Sequence, residues 1–158
     1  MSAPNERDGL GDLYQEILLD HYRRPRNFGP LPGSDHEADG HNPLCGDRVH
    51  VRVRLDGDKL ADVRFEGSGC AISTASASMM TEAVRGHTRA EADALFDRFR
   101  ALVTGEATAA SAEELGELAA LCGVREFPMR VKCATLAWHT LRAALDSPGA
   151  AISTEDAS

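Results

Sequence analysis

The sequence predicts an α+β domain: a small antiparallel sheet of about three strands with about five helices packed mainly on one face. Three observations carry that expectation. A period-two run of apolar residues turns back on itself at Asp56-Gly57, several other stretches repeat apolar residues at helical spacing, and the prolines and glycines fall mostly between these stretches.

Residues 1–9 lack apolar periodicity and are expected to form a disordered lead. Leu10, Leu13, Tyr14, Ile17, Leu18 and Tyr22 then predict a first helix over about 10–23, ended by Pro25, Gly29, Pro30, Pro32 and Gly33. Val49, Val51, Val53 and Leu55 alternate with His50, Arg52 and Arg54, and Ala61, Val63 and Phe65 alternate with Asp62, Arg64 and Glu66, which together read as a hairpin. A hairpin rarely stands alone, so a third strand is expected between Leu31 and Asp47. Gly67-Ser68-Gly69 closes the hairpin, and Ile72, Ala75, Met79, Met80 and Ala83 predict a helix over 71–85 with Cys70 at its N-terminus.

Thr88 with Glu91, and Ser111 with Glu114, read as capping boxes for two more helices, whose apolar stripes are Ala92, Leu95, Phe96, Phe99, Leu102 and Val103, then Leu115, Leu118, Ala119 and Cys122. Pro128 suits the first turn of a last helix with the stripe Ala134, Ala137, Trp138, Leu141 and Leu145. The small, acidic residues 147–158 are expected to be a disordered tail, leaving a single domain over 10–146.

With 158 residues, 42% hydrophobic and 27% charged, the chain has the composition of one domain with a core. Its net charge of -8 argues against nucleic acid and anionic membranes as partners, and its longest uncharged stretch is too small-residue and too short to span a bilayer. The polar, acidic start lacks the pattern of a signal peptide, which predicts a cytoplasmic protein. Four cysteines there are expected to be reduced thiols with a chemical use rather than a disulfide framework.

Cys45, Asp47, Cys70 and Cys133 all fall at loops or element ends, where side chains distant in sequence can converge. Three thiolates and a carboxylate suit tetrahedral Zn²⁺ or an iron-sulfur cluster, since soft sulfur favours both. A helix N-terminus at Cys70 favours its thiolate, and Lys132 and Arg130 supply positive charge near Cys133. Spacing alone serves equally well a reading of the cysteines as small buried hydrophobes, and Cys122, on an apolar stripe, is assigned to packing. The histidines read as structural or solvated.

His21-Tyr22, Pro25-Arg26-Asn27-Phe28-Gly29, Asn42-Pro43-Leu44-Cys45-Gly46-Asp47, Gly67-Ser68-Gly69-Cys70-Ala71-Ile72-Ser73 and Val131-Lys132-Cys133-Ala134 together resemble the U-type iron-sulfur cluster assembly family, IscU and SufU. The resemblance spans about residues 10–145 and is closest to the SufU branch. IscU-type scaffolds carry a His where this sequence has Lys132 and a Leu-Pro-Pro-Val-Lys segment where it has Phe127-Pro128-Met129-Arg130-Val131, and the segment between Cys70 and Cys133 is longer here. The resemblance implies a SufE/NifU-N-like fold.

It further implies a zinc-dependent sulfurtransferase that takes persulfide sulfur from a pyridoxal-phosphate cysteine desulfurase, SufS-like, and passes it to downstream iron-sulfur scaffold proteins. Zn²⁺ would be held by Cys45, Asp47, Cys70 and Cys133, with Cys45 as sulfur acceptor, Cys133 as the alternative acceptor, and Lys132, Arg130 and Arg125 offsetting the charge. Two alternatives stay open: a scaffold that assembles and releases a [2Fe-2S] cluster, or holds iron, and a binding module with a structural zinc site. The ligand charge permits both metals, because Zn²⁺ and an oxidised [2Fe-2S] core carry the same charge.

Overall fold

The computed structural model describes residues 6–106 and 115–154, the side chains before Tyr14 excepted. The hairpin decides the layer order. Strand β2 (Asp47–Asp56) pairs antiparallel with β3 (Lys59–Ser68), setting Val51 opposite Phe65 and Val53 opposite Val63, all four buried against the helices. The expected third strand is β1 (His36–Asn42), antiparallel to β2 with Asn42 opposite Asp47.

A fourth strand corrects the three-stranded expectation. Ala151–Ser153, here β4, runs parallel to β1 and completes a mixed sheet of order β3-β2-β1-β4, so part of the tail expected to be disordered is ordered. The pairing is made by the backbone: Gly149 N–H donates to Glu37 O at 2.7 Å, Asp39 N–H to Ala150 O at 2.9 Å, and Thr154 N–H to His41 O at 2.9 Å. An edge strand presents unpaired amides and carbonyls that a three-residue segment satisfies without any apolar alternation, which is why periodicity did not reveal it.

Helix α1 is Glu6–Arg23, so residues 6–9, expected in the lead, are helical; the Leu10 and Leu13 side chains lie outside the described residues. Helix α2 is Ala71–Val84 and α3 is Arg89–Val103, the latter with both hydrogen bonds of the Thr88/Glu91 capping box. The expected Ser111/Glu114 box lies outside the described residues. The helix expected after it is a 3₁₀-helix, Gly116–Glu126, a second correction: Gly116 at φ +59° breaks α geometry at its start, and the tighter winding still buries Leu118, Leu121 and Val124. Helix α4 (Pro128–Asp146) carries Trp138, fully buried and stacked on Phe96 and Phe99 with ring centroids 5.7 and 5.0 Å away.

The loop after α1 ties three elements together. Arg26 N–H donates to Ser78 Oγ of α2 at 2.8 Å, Asn27 Nδ2 to Thr81 Oγ1 at 3.0 Å, and Phe65 N–H of β3 to Asn27 O at 3.1 Å. Two of the sequence motifs, His21-Tyr22 and Pro25–Gly29, thus sit where α1 is fastened to α2 and β3. At one end of the sheet the β1–β2 turn, the β3–α2 junction and the start of α4 come together. No described helix is long and apolar enough to cross a membrane.

Candidate metal centre

Asp47 begins β2 immediately after the tight turn Asn42–Gly46, in which Cys45 N–H and Gly46 N–H both donate to Asn42 O, at 3.3 and 2.8 Å. The turn leaves Cys45 exposed and directs the Asp47 carboxylate inward, where it is fully buried. Asp47 Oδ1 accepts the Cys70 N–H at 2.9 Å. That approach requires the neighbouring glycine: a Cβ on Gly69 would lie 2.5 Å from Asp47 Oδ1.

Cys70 is the N-cap of α2, and its Sγ accepts the Ser73 N–H at 3.4 Å. Cys133 sits in the second turn of α4 and is buried. One donor atom from each of Cys45, Asp47 and Cys133 lies within 4.8 Å of the others, with Cys133 Sγ 3.4 Å from Cys45 Sγ. The Cys70 sulfur is outside that closest set yet adjoins it, 3.9 Å from Asp47 Oδ2 and in hydrogen-bonding reach of Cys133. The structure therefore brings all four expected ligands to one place.

Proton affinities are uneven across the cluster. A hydrogen bond from Cys133 is the main influence that lowers Cys70 to about 7, with the Ser73 N–H assisting; burial and the nearby Asp47 charge oppose it. Cys133 moves the other way, raised chiefly by that same bond to Cys70 and then by its burial. A single S–H on Cys133 serves either Cys70 or Cys45 at a given moment, so the pair shares protons rather than titrating separately.

The donor chemistry fits a tetrahedral ion. Zn–S bonds of about 2.3 Å set ligand sulfurs about 3.8 Å apart, and a sulfur and a carboxylate oxygen about 3.6 Å apart. The observed 3.4 and 3.9 Å lie within a few tenths of an ångström of these values, and drawing the Cys70 sulfur, which lies outside the 4.8 Å set, fully into a tetrahedron needs a larger movement. Of the expected charge-balancing residues, Lys132 is half-buried and lines a small cavity with Arg100, Thr104 and His139, Arg130 stands over the Phe127 ring at 5.6 Å, and Arg125 lies beside Gly105.

Two groups escaped the sequence reading. Asn42, fully buried, donates from Nδ2 to Cys133 Sγ at 3.5 Å, and Thr154, also buried, donates from Oγ1 to Asn42 Oδ1 at 3.1 Å. Asn42 stood in a recognised motif without an assigned task, and Thr154 stood in the tail. Cys122 packs against the core, away from the cluster. His21, Ser78 and Glu117 form a Ser-His-carboxylate chain at 2.7 and 2.9 Å, but Ser78 is fully buried and also takes the Arg26 N–H, so the chain is a fastening of α1 and not a nucleophilic site.

The NifU-like N-terminal domain matches residues 13–146, nearly all of the folded chain. The chain belongs to this family. Within it, the chain is 46% identical over 136 residues to the iron-sulfur cluster assembly scaffold protein IscU of Streptococcus pyogenes serotype M1, covering 86% of this chain and 84% of that one. It is 46% identical over 132 residues to the zinc-dependent sulfurtransferase SufU of Bacillus subtilis, covering 84% and 88%. Among solved structures, an iron-sulfur cluster assembly scaffold candidate of the SUF system from Fervidobacterium islandicum superposes with a TM-score of 0.77 at 36% identity, covering 83% of this chain and 95% of that one. This is an iron-sulfur cluster assembly protein of the IscU and SufU type.

Proposed function

We propose that this family member is a zinc-bound sulfur acceptor, receiving persulfide sulfur from a cysteine desulfurase and handing it on for cluster assembly. The observation that carries the reading is the asymmetry of the donor set: Cys45 and Cys70 are exposed beside the buried Asp47 and Cys133, and of the two exposed thiols Cys45 sits on a turn whereas Cys70 caps a helix and takes the Ser73 N–H. The SufU-like features of the sequence, Lys132 before Cys133 and the long segment filled by α3 and the 3₁₀-helix, point the same way.

Cys45, Asp47, Cys70 and Cys133 would hold Zn²⁺, which supplies charge that keeps the sulfurs deprotonated at neutral pH. Asp47, a harder and weaker donor to zinc than a thiolate, leaves the ligand set exchangeable. The Cys45 thiolate attacks the terminal sulfur of the desulfurase persulfide: a new S–S bond forms at Cys45, the S–S bond of the desulfurase breaks, and its cysteine leaves as the thiolate. No external oxidant or reductant is consumed. Leu44, Phe127 and Met129 are about half exposed, and with Cys45 and α4's start they give a docking protein apolar surface around the reacting sulfur.

Asp47→Ala tests the reading. In a zinc acceptor it weakens zinc retention and depresses stimulation of desulfurase turnover together. In a scaffold it leaves three thiols around a cluster and removes a ligand that assists release, so the variant accumulates iron, sulfide and visible colour. Zinc, iron and sulfide analysis of parent and variant, with a desulfurase turnover assay, separates the two, and a coloured variant moves the assignment to the scaffold.

A further inference from the structure

The C-terminal strand reaches the centre through one buried amide. Backbone bonds run along β1 from Gly149 N–H on Glu37 O to Thr154 N–H on His41 O, and they deliver the Thr154 side chain to Asn42. The Asn42 amide cannot be flipped without loss. Its Oδ1 accepts two donors, the Leu44 N–H at 3.2 Å and the Thr154 hydroxyl at 3.1 Å, and the first is a backbone group that can only donate. Nδ2 must therefore face the sulfur of Cys133, 3.5 Å away. Among the described residues the side-chain contact to the Cys45 sulfur is the Cys133 thiol at 3.4 Å, with no amide donor to match; the Cys45 N–H is bound to Asn42 O.

We infer that Asn42, held in orientation by Thr154, is a positioning residue that fixes the Cys133 sulfur, so that β4 sets which thiol stays in the centre and which can leave it. The inference deepens the proposed function and rests on the same ligand set. An N–H···S contact fixes the direction of the sulfur lone pairs left for the metal, as outer partners do for other metal ligands. It also screens charge on one sulfur and not the other. Cys133 becomes the retained ligand and Cys45 the released one. Thr154 acts at one remove: its hydroxyl gives Oδ1 a second donor, and with the Leu44 N–H it holds the amide plane.

Four variants of the full chain test this: Asn42→Asp, Asn42→Ala, Thr154→Val and Thr154→Ser. Zn²⁺ affinity is read by competition with a chromophoric chelator. In the metal-free protein, alkylation of Cys133 and Cys45 by iodoacetamide is timed by mass spectrometry. Asn42→Asp and Asn42→Ala are expected to lower zinc affinity about 10–100-fold. Thr154→Val, nearly the same shape, lowers it severalfold and raises Cys133 alkylation severalfold with Cys45 unchanged, whereas Thr154→Ser stays within about twofold of the parent on both readouts.

A Thr154→Val protein matching the parent on both readouts overturns the inference, as does a Thr154→Ser protein as impaired as Thr154→Val, which would assign the effect to shape. If the Asn42 variants fail to fold, the Thr154 pair still decides. A parent that binds zinc yet leaves desulfurase turnover unchanged would defeat the sulfur-acceptor reading while leaving both readouts interpretable.

Discussion

Replacing Gly69 by alanine separates a site built by close packing from one assembled by backbone conformation alone. The new methyl would sit 2.5 Å from Asp47 Oδ1, 3.1 Å from its Cγ and 3.2 Å from its Cβ, where carbon and oxygen need more than 3 Å. Gly69 does not have a left-handed φ, so the backbone tolerates alanine and the collision is the whole perturbation. Asp47 is fully buried and cannot swing into solvent, so relief comes by moving the carboxylate off the Cys70 N–H it accepts at 2.9 Å. Losing a buried hydrogen bond to a carboxylate costs about 1.5–3 kcal/mol. For a chain of this size that is a fall in melting temperature of roughly 5–10 °C.

The same displacement removes Asp47 from the ligand set, so zinc retention drops with stability. Gly46→Ala is the comparison: φ is +73° there and a Cβ would meet nothing, so the cost is backbone strain of about 1 kcal/mol. Differential scanning calorimetry with zinc analysis of both variants provides the test. A Gly69→Ala protein that melts with the parent and keeps its zinc would refute the packing argument, and one no worse than Gly46→Ala would show that the carboxylate relaxes without loss.

Chelation with verified zinc removal is expected to lower the melting temperature clearly, because binding free energy at a site joining distant segments is folding free energy; an unchanged melt counts against the site. Cys122→Ser is expected to keep full zinc content at a packing cost of about 1 kcal/mol, since Cys122 packs against the core, and loss of zinc would show the ligand set to be wrong. Burial, and then the charges of Arg100 and Arg142, lower His139 from 6.5 to about 4. The ring is neutral in both states above its unfolded pKa, so its penalty on stability appears as pH falls below about 6.5 and is complete near 4; with solvent screening it is about 1–2 kcal/mol at pH 5. Urea titrations at pH 7 and pH 5 should show this loss in the parent and not in His139→Gln, and equal losses in both would assign the acid sensitivity elsewhere.

What the sequence made legible was local or chemical. The hairpin followed from alternating Val49, Val51 and Val53, the α3 start from Thr88 and Glu91, and the α4 start from Pro128, each a rule operating within a few residues. The four candidate donor positions were legible because thiols and a carboxylate at element ends are unusual, and because five short motifs resembled one family. Strand β4 was not legible: it pairs with β1 through backbone bonds, and Ala151, Ile152 and Ser153 show no alternation. The 3₁₀-helix escaped because its apolar spacing also fits an α-helix. Asn42 could be read as part of a turn, but its bond to Cys133 crosses 91 positions of sequence, which no local pattern encodes.

The candidate donors come from the β1–β2 turn, the β3–α2 junction and α4, and they lie at the edge of the core rather than in it. The fully buried apolar side chains, among them Val51, Val53, Val63 and Trp138, hold the hairpin and helices together without them. Protein bonds also hold most of the donors. Asp47 is tied to the Cys70 N–H, Cys70 to the Ser73 N–H, and Cys133 to the Asn42 amide. Cys45 is fastened through its backbone and its contact with Cys133, and its side chain is exposed. Of the three thiols, then, Cys45 leaves the cluster at the smallest structural cost: no helix unwinds, no buried carboxylate is stranded, and apart from the Cys133 contact the remaining donors keep their bonds to the Cys70 N–H, the Ser73 N–H and the Asn42 amide. That ease of release is what supports Cys45, in the proposed sulfur acceptor, as the thiol that reaches a partner's persulfide.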